Sequence, residues 1–124
     1  MKQKVHSVSY LAKAEFELKD GVYDLVALPT GAEVVKVSLE VAGNLKNSKV
    51  DIGFKDESTK DYFLSSLIAP SDKYDVRTIT SVRDYTATSN NVVVAVVRES
   101  ENQIDAKCVL RVVYFLPSVI EVEY

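Results

Sequence analysis

The stretch LPTGAEVVKVSLEV, residues 28–41, places the tightest constraint on how this chain can fold. A Leu-Pro-Thr-Gly turn marker leads directly into an alternation, with Val35, Val37, Leu39 and Val41 on one parity and Lys36, Ser38 and Glu40 on the other. A period of two buries one face and wets the other, which is the pattern of an antiparallel strand with a single side against a core. The alternation returns in KVDIGF, where Val50, Ile52 and Phe54 share a face, and in VIEVEY, where Ile120, Val122 and Tyr124 oppose Glu121 and Glu123. In AKCVLRVVYFLPS, Cys108, Leu110, Val112, Tyr114 and Leu116 take one parity, and Pro117 ends the run. The run VVVAVV, after Asn90-Asn91, is apolar on both parities. It reads as a strand covered on both faces, either central in a sandwich or beneath a neighbouring subunit.

Between these runs the punctuation is that of turns. Asp20-Gly21 predicts a two-residue type I′ hairpin that sets Leu18 opposite Tyr23 and Phe16 opposite Leu25, with an unfavourable Glu17–Asp24 pair on the other face. Pro29 and Gly31 make LPTGA a tight connection, and AGNLKNSK has the length of a hairpin loop. In KDESTKDYFLSSLIAPSDKYD, Leu64, Leu67 and Ile68 have helical spacing that Pro70 cuts short, so a short helix and an irregular loop both fit. YDVRTITSVRDYTA reads as strand. Eight to ten short strands without a long amphipathic helix predict an all-β fold, an antiparallel β-sandwich with a jelly-roll-like topology. An immunoglobulin-like sandwich is the second option, weakened because the chain has no Trp and only one Cys. The 124 residues fit one domain, 1–124, with residues 1–13 a candidate N-terminal arm.

Composition narrows function by exclusion. A hydrophobic share of 47% with 27% charged residues is that of a folded protein, and no apolar run approaches the length of a spanning helix. The net charge of −3 is scattered, with no basic stripe of the kind a nucleic acid needs. His6, Ser7, Ser9, Lys13 and Glu15 interrupt any signal-like apolar segment, so synthesis and folding in the cytosol are expected. The lone Cys108 excludes an intrachain disulfide and reads as a core residue, and His6, the only histidine, belongs to no nucleophile motif. Asp51, Asp56, Glu57 and Asp61 match no calcium loop and are interspersed with Lys55 and Lys60, which favours a solvated loop over a metal site. No catalytic, cofactor-binding or metal-ligating residue is assigned. The seven tyrosines keep one alternative open, a β-sandwich carbohydrate-binding module of a phage fibre or cell-surface assembly.

The succession of LPTGAEVVKVSLEV, VDIGFKDESTKDYFLSS, a two-sided apolar strand and VLRVVYF resembles the small decoration or cement proteins of tailed bacteriophage capsids, over residues 16–69 and 92–116. The resemblance implies a non-enzymatic virion protein. It would sit as a trimer on the outer surface of an icosahedral shell and bridge neighbouring copies of the major capsid protein. The alternating termini add an expectation of their own, because an unpaired strand edge is normally covered. Residues 1–13 and 119–124 are expected to contact subunits or shell through Tyr10, Ile120, Val122 and Tyr124, unless both termini simply close the sandwich's own sheets.

Overall fold

The structure, a computed structural model, describes residues 1–44, 48–56, 60–65, 74–100 and 106–123. Ten strands follow in chain order: β1 (Lys2–His6), β2 (Ser9–Glu17), β3 (Gly21–Leu28), β4 (Glu33–Asn44), β5 (Lys49–Phe54), β6 (Tyr74–Thr80), β7 (Tyr85–Thr86), β8 (Asn91–Arg98), β9 (Lys107–Phe115) and β10 (Val119–Glu123). One sheet runs β2-β9-β4-β6, with β7 also paired to β4, and a second runs β3-β8-β5. The two form an antiparallel sandwich, and β1 and β10 make a separate two-stranded ribbon.

The pairing has a simple logic. Strand β1 pairs β10, β2 pairs β9, β3 pairs β8, β4 pairs β6 and β7, and Ile52 of β5 bridges Leu64, all antiparallel. The first half of the chain therefore zips along the second as one long hairpin, as far as the Ile52–Leu64 bridge. Consecutive segments of that hairpin alternate between the two sheets, which is the jelly-roll arrangement expected from the sequence. The sheets enclose Phe16, Leu18, Leu28, Val37, Leu39, Val41, Val50, Ile52, Val93, Ala95, Leu110 and Val112. At one end, Phe54, Tyr62, Phe63 and Tyr85 close the core with ring centroids 4.5–5.5 Å apart.

Alternation inside β4 is broken once. Val34 faces Tyr114 and Lys36 faces Val113, so Val35 is an extra residue in the ladder. This bulge moves the inward parity from Ala32 and Val34 to Val37, Leu39 and Val41, all buried, and leaves Val35 51% exposed. Val35 was expected inside with Val37, and the bulge is the reason it is not. A similar irregularity in β3 falls between Asp24 and Val26.

Two turn readings are also corrected. Asp20-Gly21 does not join a hairpin, because β2 pairs β9 and β3 pairs β8 in different sheets. Asp20 does not take the positive φ that a type I′ turn requires. Instead its carboxylate accepts the Ser100 N–H at 3.0 Å and the Ser100 hydroxyl at 2.7 Å, fastening the crossing segment to the far half of the chain. Strands β4 and β5, on either side of AGNLKNSK, likewise lie in different sheets and do not form the hairpin expected there. Leu64 sits in a β-bridge rather than a helix, and Leu67, Ile68 and Pro70 lie outside the described residues. The run VVVAVV forms most of β8, the central strand of the second sheet. Val93, Ala95 and Val97 point into the core, and outward-facing Val94 is fully buried as well.

The LPTGA connection is held by Gly31, whose N–H donates to the Ala87 carbonyl at 2.7 Å. Its φ is +87°, and a Cβ there would lie 2.7 Å from Cβ of Pro117, part of a rigid ring. Both features favour glycine alone. Gly31→Ala is expected to cost about 2 kcal/mol and to lower Tm by roughly 8 °C, read by thermal denaturation. The Ser100 hydroxyl and then its N–H hold the Asp20 carboxyl below the usual carboxylate range. Folding thus favours the charged form, so the contribution is present above the unfolded-state pKa and lost as pH falls through the lower folded value. The gap in urea midpoint between wild type and Asp20→Ala is expected at neutral pH and should close as the solution is acidified.

Candidate interaction surface

The terminal ribbon is built from two alternating sequences that pair with each other. Its register sets Val5 against Ile120 and Gln3 against Val122, with Lys2 against Glu123 and Lys4 against Glu121 between them. Directly opposed residues share a face. One side of the ribbon therefore carries Val5, Ile120 and Val122, and the other carries its charges. On the charged side the Met1 amino group lies 3.6 Å from Glu123 and Lys2 lies 3.9 Å from Glu121, both pairs well exposed and weak. The apolar side is open, with Ile120 56% exposed and Val5 37%. His6 anchors the base through Nδ1 to the Leu116 carbonyl at 3.2 Å, and the Leu116 N–H donates to the Val8 carbonyl at 2.8 Å.

The sequence-expected contact residues thus separate. Ile120 and Val122 share the ribbon's apolar face with Val5, which the sequence reading missed because its pairing with Ile120 joins opposite ends of the chain. Tyr10 lies in β2 opposite Tyr114, the rings edge to face at 5.8 Å, and is half exposed. Tyr124 lies outside the described residues. Residues 2–6 and 119–123 do not extend either sandwich sheet and pair with one another, whereas Ser9–Lys13 of the expected 1–13 arm belong to β2 of the sandwich. A two-stranded ribbon is marginal in water by itself, and this one keeps an exposed apolar side.

Nothing beside the arm is organised for chemistry among the described residues. Cys108 is buried opposite Phe16 and Val41, and burial pushes its thiol up to about 12. His6 contacts Leu116, eight residues farther along, which at strand spacing is about 26 Å from Cys108. Asp51 is engaged by Arg98 at 2.8 Å, and no group of three His, Cys, Asp or Glu among the described residues could hold a metal ion. Tyr62 and Tyr85 pack on Phe54, and Tyr23 stacks on Phe16 at 5.4 Å, so these rings serve the core. A depression of about 450 Å³ is lined by Ala27, Leu28, Pro29, Asn90, Asn91 and Val92, without an aromatic ring.

No family model and no curated protein matches the chain. Among solved structures, a chain of the acidic stable capsid of Helicobacter pylori bacteriophage KHP30 is 61% identical, with 100% of both chains covered and a TM-score of 0.85. A chain of the cyanophage Pam1 capsid asymmetric unit is 19% identical over 88% of this chain and 85% of its own, with a TM-score of 0.67. A chain of the Ralstonia phage GP4 capsid is 16% identical over 92% and 88%, with a TM-score of 0.61. At those two identities the likeness is one of fold.

The buried thiol yields a direct check. Cys108 is expected to stay unmodified by a thiol reagent at mildly alkaline pH in the native protein and to react fully once urea unfolds it. Rapid native-state labelling would contradict its placement.

Proposed function

Because the chain belongs to a family of bacteriophage capsid proteins, we propose that it decorates and cements the outer surface of the capsid, bridging neighbouring capsid subunits without catalysis. The observation that carries this is full-length identity of 61% to a chain of a phage capsid. The amphipathic arm supplies a physical means. A decorating protein needs broad contact rather than a deep pocket, and a projecting ribbon with an open apolar side offers it. Its partners are then the major capsid protein and, in a trimer, two further copies of this chain. Many modest contacts repeated around a symmetric shell add up to strong retention. Within the arm, Val5, Ile120 and Val122 make the contact, and Tyr10 lies at its base. A glycan-binding role has less support, since Tyr23, Tyr62 and Tyr85 are spent in packing.

Mass spectrometry of gradient-purified virions should find this chain at about one copy per copy of the most abundant shell protein. A few copies per particle would place it at a vertex or fibre instead. Ile120→Asp with Val122→Asp is expected to leave the sandwich's melting temperature within a few degrees of wild type while abolishing capsid retention. Full retention by that variant would remove the arm from the interface.

A further inference from the structure

The two outward sheet faces balance their charges differently. On the three-stranded sheet, Lys55 reaches Asp24 at 2.9 Å, from beyond β5 to β3 across β8, and Arg98 reaches Asp51 at 2.8 Å. On the other sheet the registers stack Leu11, Val113 and Lys36 in one row, then Lys13, Arg111, Ser38 and Thr80 in the next. Lys13 therefore sits directly opposite Arg111, a like-charge pairing that costs stability in a sheet, and Lys36 lies one row away. Among the described residues no carboxylate pairs with Lys13 or Lys36, and Arg111 has only a loose 3.6 Å contact with Glu40. Between Lys36 and Arg111 lies a depression of about 210 Å³ floored by Leu11, Ser38 and Val113, with Leu11 57% exposed.

We propose that this outer face of the β2-β9-β4-β6 sheet is the capsid-facing surface. Its occupant is a carboxylate-bearing segment of the neighbouring shell protein, whose acids are taken by Lys13, Lys36 and Arg111 while Leu11 and Val113 supply apolar contact. The assignment rests on the decorating role proposed above. Charge complementarity selects the partner: three clustered cations gain from opposed carboxylates what they lose by repelling each other. Glu15 and Glu40 occupy the next row, which disfavours a nucleic-acid backbone on the same face.

Purified protein would be rebound to capsids lacking it, at low and high salt. Wild type is expected to bind at least tenfold more weakly in high salt, since surface ion pairs are screened. K13E/K36E should lose tenfold or more at low salt and K13R/K36R should bind as wild type. K55E, a lysine-to-glutamate reversal on the opposite face, should bind within twofold of wild type. If K13E/K36E fails to fold, K13Q/K36Q is read in its place with the same expected direction. Binding of the patch variant within twofold of wild type, or an equal loss in K55E, overturns the assignment while leaving the decorating role intact. Failure of wild type itself to bind capsids overturns the decorating role. Competition by a DNA duplex, with no response to acidic peptide, would show that the patch takes phosphates and would equally overturn the proposal.

Discussion

Everything in this molecule depends on the antiparallel pairing of the chain's first half with its second. Strands β2, β3 and β4 find partners in β9, β8 and β6, which lie far along the chain, whereas Ile52 and Leu64 pair over a short stretch. Closing such long loops costs entropy before any contact repays it, so the ladder forms only because each segment also buries an apolar face. The two sheets share one core, and neither of them has a stable inner surface without the other.

Small local devices allow that long hairpin to bend into two layers. The extra residue at Val35 reverses the inward parity of β4 at the point where its partner changes from β7 to β6. Gly31 permits the LPTGA segment to pass against Pro117, and Asp20 ties the first crossing to Ser100. Each lies where the chain passes between sheets or changes partner, where regular pairing cannot supply the hydrogen bonds. The same folding in half brings residues 2–6 and 119–123 together beyond the sandwich, so the arm is a consequence of the pairing scheme.

The likeness to a capsid chain over full length gives these surfaces a context. Outside its core the protein presents two features, an amphipathic arm and a sheet face with uneven charge. Both arise where alternation leaves one parity without a buried destination. On the three-stranded sheet the outward valines of β8 are screened by cross-strand ion pairs, whereas on the other sheet Leu11 and Val113 lie beside Lys36 and Arg111.

Sequence by itself determined the strands, because period-two alternation is a local property: KVDIGF, VVVAVV and AKCVLRVVYF all became strands with the buried faces their parities indicated. It also determined Gly31 as a turn and Cys108 as core. Only the tertiary structure decided who pairs with whom. Asp20-Gly21 looked like a hairpin because turn propensity is local, yet β2 pairs β9 and β3 pairs β8, distant strands that lie in opposite sheets. Val35 broke its own pattern for a comparable reason, since a bulge is forced by the partner strand. The pairing of Val5 with Ile120, and of Lys13 with Arg111, joins residues that nothing in the linear order relates, so the surfaces they form became visible only once the chain had folded back on itself.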